Sequence, residues 1–305
     1  MDDTSVIVLR GLTKVFGDHL AVDRIDLVVR RGELFGLVGP DGGGKTTVMR
    51  MLAAIMEPTS GEAWVAGHSI LREGERVKET IGYMSQRFGL YEDLTVLENM
   101  EFYADLYEVP RKERPPRIER LLGFSNLTPF RKRLAGELSG GMKQKLGLAC
   151  ALVHTPEVLF LDEPTNGVDP VSRRDFWKIL YELLREGITI FLTTAYLDEA
   201  ERCSRIGLIH NGRLLVVDQP GKVRASLGMP MIQLWVDDTR RARELLQGTE
   251  GIQSVSTYGG SLHVALKDEG RLQDLVGFLE KEGIGVEGSR TITPSLEDIF
   301  IAMVR

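Results

Sequence analysis

GPDGGGKT, residues 39–46, is the stretch from which the fold can be read. It fits the pattern G-x-x-x-x-G-K-[ST], and each position has a physical task. Gly39, Pro40, Asp41, Gly42, Gly43 and Gly44 form a loop whose backbone N–H groups can turn inward around phosphate oxygens. Lys45 can reach the β and γ phosphates of a nucleotide, Thr46 can ligate Mg²⁺, and Thr47 continues into a helix. The flanks suit this reading. Glu33 to Val38 (ELFGLV) reads as a buried strand, and Val48, Met51, Leu52 and Ile55 have helical spacing over about 45–55. A strand running through a glycine-rich turn into a helix is an α/β signature.

Downstream, residues 158–163 read VLFLDE. The apolar residues predict a buried strand with Asp162 and Glu163 at its C-terminal end, where open α/β sheets bind ligands. Such a strand end is weak evidence alone. Beside a phosphate loop it becomes the second half of a site that hydrolyses nucleoside triphosphate. Asp162 can hold Mg²⁺ through water, and Glu163 can orient and deprotonate the attacking water.

A third element, residues 138–144 (LSGGMKQ), stands just upstream. Ser139 can cap a helix, and Gly140 and Gly141 can present N–H groups to an anion. This run resembles the signature motif of ABC ATPases, with Met142 where glutamine is commoner. The resemblance covers about residues 5–225. It implies an ABC-type P-loop NTPase: a RecA-like α/β core carrying antiparallel β and helical subdomains. It also implies ATP and Mg²⁺ as ligands, and two cassettes, identical or paralogous, sandwiching nucleotide head to tail. The residues Ser139, Gly140, Gly141 and Met142 of one cassette would then meet the phosphate loop of the other.

Further positions match this family in order. Gln86, in IGYMSQRFG, corresponds to the Q-loop glutamine, which the resemblance places near Mg²⁺ and the membrane subunit. Asp169, in NGVD, corresponds to the D-loop residue at the dimer seam. Phe16 corresponds to the aromatic that stacks on adenine, a role needing only a π face. Apart from the resemblance, Phe16 would read as a core residue.

Two departures stand out. Asp41 replaces the commoner asparagine, placing a carboxylate on the rim of the loop, where it can instead cap the local turn. The strand end TTAYLDEAE, residues 193–201, has Ala195 where the family carries a switch histidine facing the γ-phosphate. Alanine can neither donate nor accept. If that histidine acts like an oxyanion-hole donor, its loss raises the barrier by about 3–4 kcal/mol. Either the site turns over slowly, or a partner cassette does most of the hydrolysis. His154, before Thr155-Pro156, and His210, beside the Asn211-Gly212 turn, read as structural rather than as substitutes.

The rest of the chain reads as an ordinary globular protein, with 43% hydrophobic and 27% charged residues among 305. A net charge of −6 argues for no nucleic-acid partner. Cys150 and Cys203 fit no metal spacing, and their expected state is inert thiols in a reducing cytosol. The acidic N-terminus lacks a signal-peptide pattern, and no run reaches the length of a membrane span, so a cytosolic location is expected. Strands are expected at 5–10 and 25–30, helices broken by Pro110 and Pro115-Pro116 across 68–135, a helix at 172–186, a strand at 188–192 and a hairpin at 206–217. The pattern changes near Leu227-Gly228. Residues 1–227 are read as the nucleotide-binding domain. Residues 228–305 read βαββαβ plus a helix, a small α+β ferredoxin-like module for regulation or dimerisation.

Within the family, SQRFGLYEDLTVLEN and TPSLEDIF resemble ABC-2-type drug-resistance exporters, and LAGELSGGMKQKLGLACALVHTP with the GPDG loop resembles the YbhF-like group. This implies a separate ABC-2-type integral membrane permease as partner, and a peripheral position on the cytoplasmic face of a bacterial inner membrane. Export of drugs or other amphipathic or cationic solutes is the implied work. A soluble ABC ATPase acting on ribosomes or DNA is the competing reading. The single phosphate loop and the absence of coiled-coil heptads count against it.

Overall fold

The structure is a computed structural model that describes residues 4–86, 89–226, 228, 230–267 and 272–304. Arg87 and Phe88 of the glutamine segment, Leu227 and Met229 at the expected boundary, and Arg271 at an expected helix start lie outside the described residues. The chain divides into two compact units, Met1–Leu215 and Val216–Arg305.

The first unit opens with a long hairpin, β1 (Ser5–Phe16) and β2 (His19–Arg30), which turns at Gly17-Asp18. These strands outrun the expected 5–10 and 25–30, because register shifts absorb Gly11 and Arg24, both in left-handed backbone. β1 also pairs with β4 (Ser60–Val65), and β5 (His68–Ser69) completes a four-stranded sheet in the order β2-β1-β4-β5. Neither β4 nor β5 is apparent from the sequence.

The second sheet is the core. It has six strands in the order β10-β9-β3-β8-β7-β6. These are β3 (Leu34–Val38), β6 (Ile81–Met84), β7 (Val158–Asp162), β8 (Thr189–Thr194), β9 (Arg205–His210) and β10 (Arg213–Asp218). β6, β7, β8, β3 and β9 run parallel. Every residue of β3, β7 and β8 is buried, as expected of parallel strands covered on both faces. Phe191 stacks on Phe35 with ring centroids 5.4 Å apart and meets Phe160 edge-on at 5.7 Å. The β9–β10 turn has Asn211 at φ 47° and Gly212 at φ 77°, the conformation Asn-Gly favours in tight hairpins.

Helix α1 (Lys45–Leu52) is shorter than the expected 45–55. Ala54 takes a left-handed φ of 52°, which ends the helix and leaves Ile55 exposed. After α2 (Gly74–Thr80) and β6, the helices α3 (Val96–Leu106), α4 (Arg114–Phe124) and α5 (Gly140–Leu152) share a core that includes Met100, Leu122, Leu127 and Leu146. Pro115 and Pro116 do not break a helix. They occupy the first turn of α4, where a missing N–H has no intrahelical partner to lose. Thr95 and Glu98 form a capping box on α3.

Two side chains tie this region together. Asn99 is fully buried; its Oδ1 accepts from the Tyr91 N–H at 2.9 Å, and its amide donates to the Tyr91 and Leu94 carbonyls at 3.0 and 3.2 Å. His154 stacks on Tyr107 at 3.8 Å and donates from Nε2 to the Ile81 carbonyl at 2.9 Å, so it is structural, as its sequence context suggested. Burial pushes the His154 imidazole below its usual value. Cys150 and Cys203 are both free and buried, and burial pushes their thiols up.

Helices α6 (Pro170–Arg185) and α7 (Leu197–Ala200) complete the first unit. The first element lying wholly in the second unit is α8 (Pro220–Ala225), which the sequence reading missed. It packs on the C-terminal helix, so the division at Leu215–Val216 lies upstream of the boundary read near Leu227. The expected βαββαβ order follows: β11 (Met231–Val236), α9 (Thr239–Leu246), β12 (Ile252–Tyr258), β13 (Ser261–Leu266), α10 (Leu272–Lys281) and β14 (Val286–Ile292). The strands form an antiparallel sheet ordered β12-β13-β11-β14, with Leu234, Val264, Leu246 and Leu279 in the core beneath α9 and α10. The last helix, α11 (Leu296–Val304), packs against β12. It is capped reciprocally by Ser295 and Asp298, and the buried Asp298 carboxylate also meets His263 Nδ1 at 3.1 Å. No helix among the described residues is long and apolar enough to cross a membrane.

Asn99→Ala removes the part-buried hydrogen bonds that hold the 91–95 loop and is expected to cost about 1–3 kcal/mol in urea unfolding. His154 binds a proton more readily in the unfolded chain, so its contribution is present above about pH 6.5 and lost as pH falls through its lowered folded value. Unfolding midpoints at pH 7.5 and 5.5 should therefore drop further in wild type than in His154→Phe.

Candidate nucleotide site

The parallel sheet brings three strand ends together. Val38 of β3 pairs with Thr194 of β8, and Asp162 of β7 pairs with Thr193. The phosphate loop leaves β3 beside β8, with the Gly39 N–H donating to the Thr194 carbonyl at 3.2 Å. Two glycines have no tolerated replacement. A Cβ at Gly39 would lie 2.2 Å from the Ile209 carbonyl oxygen. Gly44 sits at φ 103°, and its Cβ would lie 2.7 Å from the Ala21 carbonyl oxygen.

Lys45 is only 4% exposed. Its ammonium donates to the Gly39 and Pro40 carbonyls at 2.9 and 3.0 Å and lies 3.1 Å from Glu163 Oε1. A buried cation at the base of a glycine-rich loop fits a polyphosphate. Asp41 Oδ1 lies 3.7 Å from the same ammonium, but its side chain is 91% exposed, so water screens the contact. Thr46 Oγ1 donates to Asp162 Oδ1 at 3.0 Å. These two hard oxygen ligands fit Mg²⁺, which favours oxygen donors.

Glu163 has a left-handed φ of 48°, an uncommon conformation for a residue with a side chain. Its Oε2 accepts from Gln86 Nε2 at 3.0 Å and from Asn166 Nδ2 at 3.4 Å. The cleft is lined by Phe16, His19, Asp41, Gly42, Gly44, Lys45, Thr46, Thr47, Gln86 and Glu163, among others, and has a volume of about 380 Å³. Thus Gln86, far away in sequence, reaches the cleft and the Glu163 carboxylate. Phe16 is 45% exposed at the cleft's edge with Lys14 Nζ 5.1 Å from its ring centroid, so it is not a core residue.

Ser139, Gly140, Gly141 and Met142 do not line this cleft. They form the start of α5, where the exposed Ser139 accepts from the Met142 N–H at 3.4 Å. Gly140 has open space around it. Gly141 is buried, and a Cβ there would lie 2.4 Å from Ser172 Oγ, so close packing of α5 on α6 also demands glycine. Asp169 caps α6, accepting from the Val171 and Ser172 N–H groups at 3.0 and 2.9 Å. Its hydrogen bonds with Ser172 hold its carboxyl below the usual range.

Ala195 is exposed just beyond β8. Around it lies a polar network that local sequence does not reveal. Tyr196 Oη donates to Asn166 Oδ1 at 3.2 Å, and Arg173 lies over the Tyr196 ring. Glu199, within the TTAYLDEAE run, is buried. It accepts from the hydroxyls of Thr165 and Thr194 and lies 3.7 Å from Arg173. His19 and Thr193 also escaped the sequence reading. His19 lines the cleft, whereas Thr193 is fully buried and is brought beside Asp162 by strand pairing.

The ABC transporter family profile matches residues 22–166, and the profile of the DrrA1-3-like ATP-binding protein C-terminal domain matches residues 219–304. The chain is 44% identical, over 98% of its length, to "Probable multidrug ABC transporter ATP-binding protein YbhF" of Escherichia coli (strain K12), of which it covers 52%. It thus spans about half the length of that relative. It is 33% identical to "Daunorubicin resistance ATP-binding protein DrrA3" of Streptomyces coeruleorubidus, covering 99% of this chain and 96% of that one. A solved dimeric, post-hydrolysis state of an ATP-binding cassette bound to ADP and Pi superposes with a TM-score of 0.64 at 25% identity, covering 70% of this chain and 98% of that one. With its phosphate loop, its carboxylate strand end and its C-terminal module, this chain belongs to the ABC transporter ATP-binding proteins, with a C-terminal domain of the DrrA type.

Proposed function

We propose that this chain is the ATP-binding and ATP-hydrolysing subunit of an ABC-2-type export system, driving a separate membrane permease from the cytoplasmic face. The observation that carries this reading is the convergence of Lys45, Thr46, Glu163 and Gln86 on one cleft under a phosphate loop, with Asp162 hydrogen-bonded to Thr46. The names of the relatives, multidrug and daunorubicin resistance, support drugs or other amphipathic or cationic solutes as cargo.

In this reading the resting contacts are a ready state. Lys45 bonds to loop carbonyls and to Glu163, which are weaker partners than a triphosphate. Entry of the β and γ phosphates draws the ammonium away and releases Glu163 toward water, with Gln86 and Asn166 still orienting its carboxylate. Water then attacks the γ-phosphorus, Glu163 accepts the water proton, and the bond to the β–γ bridging oxygen breaks, leaving ADP and phosphate. Mg²⁺ held by Thr46 and Asp162 would neutralise charge developing on the phosphate oxygens. Phe16 offers its face to adenine.

The start of α5, Ser139 to Met142, with Ser139 and Gly140 exposed, lies outside the cleft of its own chain. It acts on the nucleotide of a second cassette, identical or paralogous, with Asp169 near the seam; the dimeric neighbour supports this arrangement. Closing and opening of two cassettes levers the permease. The C-terminal module, residues 228–305 as read from the sequence, serves regulation or dimerisation. Ala195 leaves the γ-phosphate without the family's switch contact, so turnover is slow.

Glu163→Gln is expected to bind ATP normally while its turnover falls by at least about 10²-fold, measured by phosphate release. Ala195→His is expected to raise kcat by up to about 10²- to 10³-fold. Brisk wild-type turnover with no gain on restoring histidine would sink the slow-site reading. Co-purification of an integral membrane protein, rather than ribosomes or DNA, checks the permease partner.

A further inference from the structure

We propose that Thr193 is a positioning residue that sets the two carboxylates of the hydrolysis site through a single hydroxyl. This inference rests on the ATPase reading and deepens it. Thr193 belongs to β8, is fully buried, and pairs with Asp162 of β7 in parallel register. Its Oγ1 donates to Asp162 Oδ1 at 2.6 Å, the same carboxylate oxygen that accepts from Thr46 Oγ1 at 3.0 Å. The same Oγ1 accepts from the Glu163 N–H at 3.0 Å, a hydrogen shared with the Thr193 carbonyl at 3.1 Å. A hydroxyl has one proton and two lone pairs, so the proton is committed to Asp162 and a lone pair to Glu163.

Each contact answers a specific cost. Asp162 is 1% exposed, and a buried carboxylate needs donors on it. Two hydroxyls provide them, one from the phosphate-loop helix and one from β8. Glu163 leaves β7 in a left-handed conformation that a side-chain-bearing residue does not hold unaided. Two acceptors of Thr193, one backbone and one side-chain, pin its N–H there. The turn carries the Glu163 carboxylate into the cleft, within 3.1 Å of Lys45 and 3.0 Å of Gln86. One atom of β8 thereby links the metal-side carboxylate to the water-side carboxylate. The family's switch position, Ala195, lies two residues further along the same chain and contributes no such atom.

The test compares wild type, Thr193→Val and Thr193→Ser. Valine keeps the β-branched shape and strand preference but removes the hydroxyl, while serine keeps the hydroxyl and removes a methyl. ATP binding is measured with EDTA and then with increasing Mg²⁺, alongside kcat and KM for Mg-ATP. Thr193→Val should bind ATP in EDTA as wild type does, which also reports a folded loop. It should need more Mg²⁺ for the same gain in affinity, and its kcat should fall by about ten- to hundredfold with little change in KM. Thr193→Ser should restore both properties. Equal losses in the valine and serine variants, or a valine variant with wild-type kcat and Mg²⁺ response, would overturn the proposal. If wild type binds ATP but never releases phosphate, the ATPase reading fails. The Mg²⁺ arm still decides Thr193: a weakened response in valine alone supports it, and an unchanged response overturns it.

Discussion

Parallel pairing of β8 between β3 and β7 is the constraint on which the site depends. Register alone sets Val38 beside Thr194 and Asp162 beside Thr193, so the phosphate loop and the carboxylates leave the sheet at one edge. A slip of one residue would reverse the face of every following side chain, placing Asp162 and Thr193 on opposite sides of the layer. The strands resist such a slip because their residues are buried throughout, with Phe35, Phe160 and Phe191 interlocked across them. The stability of the hydrophobic layer and the accuracy of the polar edge are therefore one property.

The polar edge is built from buried charges that satisfy one another before any nucleotide arrives. Lys45 is capped by carbonyls and Glu163, Asp162 by two hydroxyls, and Glu199 by two threonines with Arg173 nearby. Removing one member leaves its partner buried and unpaired, which costs more than the bond itself contributes. Polyphosphate is the ligand that such a site accepts readily. In the proposed reading it replaces the carboxylate of Glu163 at Lys45 with stronger anionic oxygens and leaves that carboxylate free to act on water.

Much of this was legible in the chain itself. The runs ELFGLV and VLFLDE are short, apolar and bounded by turn or acidic residues, so their strands and strand ends follow from local pattern. The alternation from Met231 onward likewise forecasts the βαββαβ order of the second unit. Pro115-Pro116 was misread because proline ends helices in most contexts but starts them in the first turn, and position in the helix is not a local property. β4, β5 and α8 are short and polar, and they exist through long-range pairing and packing rather than through propensity.

By itself the sequence determined the chemistry available: a loop that can wrap phosphate, an ammonium, two adjacent carboxylates, and an alanine without hydrogen-bonding capacity at position 195. These follow from residue type and spacing of a few positions, which chain connectivity enforces. Only the tertiary structure decided which groups share hydrogen atoms. That Gln86 and Asn166 orient Glu163, that Thr193 bonds the Asp162 carboxylate and the Glu163 N–H, and that Gly141 is needed against Ser172 all depend on contacts across many residues. Hydrogen bonds act over about 3 Å and carry no trace along the chain, so only the packed sheet could reveal them.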